Sequence, residues 1–295
     1  MTAIRRVGVL GGGLMGSGIA QVCALAGCQT VVREVSDSLC EKSLANIGKS
    51  LAKAVEKGKI TSAAKDAALD HLSFITDITL LSDSDIVIEA VSEDLELKNS
   101  LFKDLNAVCP PRTIFASNTS SLTIAAMAAS CGRPDRMLGL HFFNPVPSMK
   151  LVEVVKTITT SQQTMDSVFS FVQQIGKEPI RAKDNSGFVV NLLLVPYMLD
   201  AIRALEASVA SVEDIDKGMH LGAGHPMGPF TLLDFVGLDT VYKISEIMFS
   251  EYREKRYAPP PLLKRMVTAG MFGKKSGRGF YDYSQDPPSV TSLGL

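Results

Sequence analysis

Six short, almost wholly apolar runs punctuate the first half of the chain: VGVL (7–10), TVV (30–32), DIVIEAV (85–91), TIFAS (113–117), MLGLH (137–141) and LVEVV (151–155). Helical patterns lie between most of them. A strand that is apolar on both sides must be covered on both sides, and strands joined through helices run parallel, so the pattern implies an α/β fold with a doubly wound, mainly parallel sheet. Past KEPIRAKDNSG the alternation stops, and helical patterns follow at 187–208, 211–222, 229–252 and 261–270, the second opened by Ser211 and Asp214 in a capping arrangement. FVVNLLLVPYMLDAI (188–202) is interrupted by Asn191, Pro196 and Asp200, which suits a buried helix kinked at the proline and not a membrane span. A chain of 295 residues accommodates two cores. The expected domains are therefore 1–184, which carries the sheet, and 185–295, which is all-helical.

Between the second and third runs lies a long helical insertion, with one helix from about Ser36 to Gly58 and another from Thr61 to about Leu72. Ser38 and Glu41 have the spacing of a capping box, and Leu44, Ile47, Leu51 and Val55 mark an apolar face. Lys42, Lys49, Lys53 and Lys57 share another face. That stripe is either a solvated surface or a landing strip for a polyanionic ligand tail. Lys+Arg 30 against Asp+Glu 31 gives no global field for nucleic acid or anionic lipid, so any anion must be caught locally. Five scattered cysteines without ligand spacing read as reduced thiols, with no disulfide and no metal, in a cytoplasmic protein. A transit peptide removed earlier would equally allow the mitochondrial matrix.

Immediately after the first run comes GGGLMG (11–16) and then a helical segment ending at Gly27. Gly11, Gly13 and Gly16 have the G-x-G-x-x-G spacing: a tight turn, a close backbone approach to a pyrophosphate, and close packing of helix on strand, with Leu14 and Met15 opening the helix. Glu34 ends the second run, where a carboxylate accepts hydrogen bonds from ribose hydroxyls and repels a 2′-phosphate. NAD is favoured over NADP, although Arg33 beside it pulls the other way.

In HFFNP (141–145) the imidazole falls at a ligand-facing strand end, and Glu153 interrupts the apolar run LVEVV twelve residues on. A carboxylate in such a run is costly unless paired. A histidine held by it in one tautomer could take a hydroxyl proton while hydride leaves for a nicotinamide. The bland alternative is an exposed glutamate and a satisfied core histidine. SNTSS (117–121) crowds small polar groups at another strand end, either as a helix cap before LTIAAMAA or as a partner for a reacting oxygen. GHPMGP (224–229) reads as a rigid interhelical turn.

Taken in order, the glycine loop, DIVIEAVSEDLELK, ASNTSSL, GLHFFNPVPSMKLVEVV, GFVVN, ASVEDIDKGMHLGAGHPMGP and KKSGRGFYDY resemble the 3-hydroxyacyl-CoA dehydrogenases along nearly the whole chain. The short-chain, single-function 3-hydroxybutyryl-CoA enzymes are the nearest in length and pattern. The resemblance implies a Rossmann-type domain followed by a helical dimerisation domain, with the substrate in the cleft between them. It implies reversible NAD-dependent oxidation of an L-3-hydroxyacyl-CoA in fatty-acid or butanoate metabolism. It makes His141 the general base, Glu153 its orienting carboxylate, and Ser120 and Asn191 the hydrogen-bond partners of the reacting oxygen. It adds Glu93, Lys98, Ser120, Asn144 and Lys275 to Glu34 and the glycine loop as cofactor contacts, and Ser50 and Lys57 as coenzyme A contacts. Gly12 stands where alanine is common in the family, and Glu34 where aspartate is frequent. Two other readings stay open: a dehydrogenase of a free hydroxy acid or sugar acid, and a non-catalytic NAD-binding protein.

Overall fold

The computed structural model describes residues 3–294. The chain divides between Phe188 and Val189 into two compact units. In the first unit, β1 (Arg6–Leu10), β2 (Gln29–Arg33), β3 (Leu72–Ile75), β4 (Ile86–Glu89), β5 (Ile114–Ser117), β6 (Met137–Phe142), β7 (Leu151–Lys156) and β8 (Glu178–Lys183) form one sheet. Its order is β3-β2-β1-β4-β5-β6-β7-β8. Connecting helices are α1 (Leu14–Leu25), α2 (Asp37–Glu56), α3 (Ser62–Asp70), α4 (Leu95–Val108), α5 (Ile124–Ala128) and α6 (Gln162–Gln174). Alternate side chains of β4 feed different cores: Ile86 and Ile88 pack with Val9, Ile19 and Ile47, whereas Val87 packs with Phe102, Phe115 and Met127. The strand order reverses between β1 and β4, and in open α/β sheets ligands bind at the C-terminal strand ends beside such a reversal.

The doubly wound architecture expected from the apolar runs is present, with differences of detail that have physical causes. The β6–β7 pair is antiparallel, so the sheet is not parallel throughout. Only eight residues, 143–150, separate β6 from β7, too few for the crossover that a parallel pair needs. β3 and β8 lie at the two sheet edges and are only partly buried, with Glu178, Arg181 and Lys183 in β8. They therefore lack the apolar runs that mark the inner strands, and the first residue of β3 had merged into the helix expected over 61–72. In the insertion, Ser36 and not Ser38 caps α2, accepting from the Leu39 amide, and Ser38 pairs with the Ser36 hydroxyl. The helix buries Cys40, Ser43, Ile47 and Leu51, leaving Leu44 exposed.

The second unit contains α7 (Val190–Glu206), α8 (Val212–Lys217) continuing into a π-helical turn at Gly218–Gly222, α9 (Pro229–Val236), α10 (Leu238–Tyr252) and α11 (Pro261–Thr268). Its core includes Leu199, Ile202, Phe230, Leu233, Val241, Leu263 and Phe280. Ser211 caps α8 through the Asp214 amide, as its spacing implies. Phe188 adopts a left-handed φ of 48°, so α7 starts later than residue 187. The single helix expected over 229–252 breaks at Gly237, whose φ of 101° no helix tolerates. Two-residue strands β9 (Tyr281–Asp282) and β10 (Ser289–Val290) form a small antiparallel ladder beside the helices.

Candidate functional site

The loop from β1 to α1 has the backbone shape its glycines imply. Gly11 has a φ of 86°, and a Cβ on it would meet the Ala90 carbonyl oxygen at 2.9 Å. A Cβ on Gly16 would stand 1.8 Å from the Gly11 oxygen, so any side chain there would push the helix off the loop. Beside Gly13 the space is open. Gly13 is also the N-cap of α1, with no side-chain cap and no acid in the first turn, so the helix's positive end stays available to a pyrophosphate. Leu14 is exposed at the same end. These features fit a dinucleotide.

Glu34 accepts the Gly12 amide at 2.5 Å and the Val35 amide at 3.2 Å, which ties the acid at the end of β2 to the glycine loop. The neighbouring Arg33 donates to the Thr76 carbonyl at 3.2 Å. Glycine at position 12 has a local reason. A Cβ there would lie 2.2 Å from the Ser43 hydroxyl, which donates to the Gly12 carbonyl at 2.8 Å, alongside Ser17 at 2.6 Å.

Beyond the loop, Lys98 on α4 is buried, with its ammonium 2.5 Å from Glu89 and 3.3 Å from Glu93. Glu89 also accepts the Val91 amide and the Ser117 hydroxyl, and Glu93 accepts the hydroxyls of Thr119 and Ser121. Burial alone would raise the Glu93 pKa. Lys98 and the two hydroxyls outweigh burial and hold it below the ordinary glutamate range. Within SNTSS, Ser117, Thr119 and Ser121 are thus committed to carboxylates, and the Asn118 side-chain oxygen accepts the Phe142 amide. Ser120 is half-buried, and its hydroxyl makes no hydrogen bond among the described residues. The segment does not cap α5: that helix has no side-chain cap from Thr123, and Asp184, sixty residues on, accepts the Ile124 and Ala125 amides.

His141 and Glu153 are direct register partners across the antiparallel β6–β7 pair. Both are buried, with the histidine Nδ1 2.6 Å from a Glu153 carboxylate oxygen. Antiparallel pairing places Glu153 near the start of β7 and not at a C-terminal strand end, yet still beside the C-terminal end of β6. A carboxylate oxygen accepts, so Nδ1 is the donor in this contact and Nε2 is the other ring nitrogen. The rings of Phe143 and Phe188 pack against the imidazole at 4.6 and 5.5 Å between centroids. The imidazole is thus buried and held in one orientation.

A cavity of about 730 Å³ in the same unit is lined by Ser17 and Gln21 of α1, Ser50 and Lys53 of α2, Lys57 at its C-cap, Lys59, and the loop from Asn144 to Ser148. The lysine stripe divides here: Lys53 and Lys57 reach the cavity, whereas Lys42 and Lys49 do not line it. The loop is braced by buried Lys177, which donates to the Val146 and Met149 carbonyls at 2.5 and 2.8 Å. Glu89, Lys59 and Lys177 join these surroundings although no sequence motif assigns them a role. In the second unit, Asn191 lies in the first turn of α7, and Lys275 is ion-paired to Asp239 at 2.6 Å.

Residues 6–185 match the NAD binding domain of 3-hydroxyacyl-CoA dehydrogenase, and residues 187–283 match its C-terminal domain. A 3-hydroxybutyryl-CoA dehydrogenase of Mycobacterium tuberculosis is 52% identical over 283 residues, covering 95% of this chain and 99% of that relative. A mitochondrial hydroxyacyl-coenzyme A dehydrogenase of Sus scrofa is 46% identical, covering 95% and 91%. The crystal structure of (S)-3-hydroxybutyryl-CoA dehydrogenase from Ralstonia eutropha superposes with a TM-score of 0.93 at 43% identity, covering 96% of this chain and all of that one.

Proposed function

Because the chain belongs to the 3-hydroxyacyl-CoA dehydrogenase family, we propose that His141 is the general base of its reaction and that a short acyl chain, as in 3-hydroxybutyryl-CoA, is its substrate. The protein is an NAD-dependent oxidoreductase that interconverts a 3-hydroxyacyl-CoA and the 3-ketoacyl-CoA. NAD supplies the hydride acceptor. The observation that carries the assignment is the 2.6 Å contact between His141 and Glu153. With Nδ1 committed to the carboxylate, Nε2 takes the proton of the 3-hydroxyl, and Glu153 stabilises the imidazolium that results. Ser120 supplies an uncommitted hydroxyl to the reacting oxygen, and Asn191 has the same role by resemblance. Gly11, Gly13, Leu14, Met15, Gly16 and Glu34 hold the adenosine and pyrophosphate. Glu93, Lys98, Asn144 and Lys275 complete the cofactor contacts.

Support for a coenzyme A tail, as opposed to a free hydroxy acid, comes from Ser50, Lys53, Lys57 and Lys59 around one cavity. Clustered cations suit phosphates on a chain with no net positive field. The test is charge reversal. Lys53→Glu with Lys57→Glu should raise KM for acetoacetyl-CoA about tenfold or more with little change in kcat, whereas Lys42→Glu with Lys49→Glu leaves both unchanged. Equal effects of the two pairs, or efficient turnover of a free hydroxy acid, would overturn the coenzyme A reading.

The helical unit is the proposed homodimer surface. Phe235, Val236, Leu193 and Leu221 are exposed there, and a monomer mass by light scattering would contradict the assignment. The proposed compartment is the cytoplasm, where the five buried free thiols stay reduced. Fractionation that finds the protein in an oxidising compartment would contradict it. No helix among the described residues is long and apolar enough to cross a membrane.

A further inference from the structure

Glu89 ends β4 at the reversal of strand order, with Leu10 of β1 and Ser117 of β5 as its register partners. Its side chain is fully buried, as is that of Lys98, whereas the Glu93 side chain is 21% exposed. Contacts run without a gap from Glu89 to Lys98 at 2.5 Å and from Lys98 to Glu93 at 3.3 Å. Two carboxylates and one ammonium leave the group one negative charge in excess, and Glu93 is the member that can present it. A buried ion pair of this kind is poor value for stability, because apolar side chains of similar volume often do as well. Its position suggests another use. In a doubly wound fold the dinucleotide straddles the reversal point, with the pyrophosphate on the glycine loop of β1 and the second nucleoside on the β4 side. That second nucleoside is nicotinamide, whose ring is cationic in NAD⁺ and neutral in NADH.

We propose that Glu89 is a positioning residue that acts through Lys98 on Glu93, and that the single excess negative charge of the three makes the site hold NAD⁺ more tightly, relative to NADH, than a neutral site would. The inference rests on the dehydrogenase reading and extends it to the balance between the two redox forms of the cofactor. Neither Glu89 nor Lys98 needs to touch the ring. Lys98 neutralises one carboxylate and anchors the other, and Glu89 ensures that Glu93 keeps a full charge instead of being cancelled by the lysine.

The test is equilibrium binding of NAD⁺ and NADH to the full chain, by calorimetry and by NADH fluorescence, with turnover left aside. Glu89→Gln brings the net charge to zero and should raise the ratio of the NAD⁺ to the NADH dissociation constant several-fold, up to about tenfold. Glu93→Gln, at a partly exposed position, gives the same net charge and the same direction, so the test survives if the buried variant fails to fold. The double variant Glu89→Gln with Lys98→Met restores one excess negative charge and should return the ratio toward that of the unaltered protein. A merely structural role would weaken both cofactors alike and make the double variant no better than the single. An unchanged ratio in Glu93→Gln, or a double variant as displaced as Glu89→Gln, would overturn the proposal. If the unaltered protein bound neither cofactor, the dehydrogenase reading itself would fall, and this inference with it.

Discussion

Glu89 and Glu93 in the first unit share a lysine, whereas among the described residues the hydrogen-bond donors to Asp216 and Asp234 in the second are amides and hydroxyls. Asp216 accepts the Phe230 and Thr231 amides, the Thr231 hydroxyl and the Tyr281 hydroxyl. Asp234 accepts the Phe280 and Tyr281 amides and the Tyr283 hydroxyl. The pKa directions differ accordingly. Burial raises Asp234 and is only partly offset by its amide donors, while the lysine and hydroxyls bring Glu93 down. Tyr281 and Tyr283 are pushed up by burial and then by the neighbouring aspartates, so they remain neutral donors. The aspartates join the start of α9 to the segment that carries β9, and space for them is kept by glycines: a Cβ on Gly279 would lie 2.0 Å from Asp234. The second cluster therefore ties parts of the fold together, and the first, with its partly exposed acid and its link to the loop of Ser120, is the one proposed to act in ligand binding.

The sharpest way to break this contrast is Asp234→Ala, which strands the Phe280 and Tyr281 amides in a buried place. Each unsatisfied group costs about 1–3 kcal/mol, so urea unfolding should show a loss of about 3–5 kcal/mol, with NADH affinity of the folded protein unchanged. Loss of affinity without loss of stability would reverse the assignment of the two clusters. A smaller effect lies in the acid limb. Glu93, with its pKa lowered, contributes stability that is complete above the ordinary glutamate range and lost as pH falls through the lowered value. Asp234, with its pKa raised, contributes stability that is complete below the ordinary aspartate range and lost as pH rises through the raised value. As pH falls below neutrality and through the carboxylate range, the advantage of the unaltered protein over Glu93→Gln should shrink, while its advantage over Asp234→Asn should grow. Parallel slopes in denaturant titrations would show that the clusters do not differ in this respect.

Their apolar runs made the inner strands legible, because a strand covered on both faces carries few polar positions to confuse it. Edge strands β3 and β8 have one side in water and lost that signal. The direction of β7 was not encoded in its own residues but in the shortness of the loop before it. Glu153 was found because a carboxylate interrupts an apolar run, yet the same signal stands in DIVIEAV, where Glu89 looks like a strand end and not a buried ion. Its partner Lys98 sits nine residues on in an amphipathic helix that reads as surface. Asp184 at the start of α5 was equally hidden, since a cap supplied from sixty residues away leaves no local pattern. The lysine stripe could be seen as a stripe, but only the cavity separates Lys53 and Lys57 from Lys42 and Lys49.

In the proposed reaction His141, held through Nδ1 by Glu153, gives and takes the substrate proton through Nε2. The most direct measurement pairs turnover with binding in His141→Gln, which keeps a polar side chain beside Glu153. NADH should bind as before while kcat with acetoacetyl-CoA falls by about 10² to 10⁴. A variant that binds NADH and turns over at an undiminished rate would contradict it.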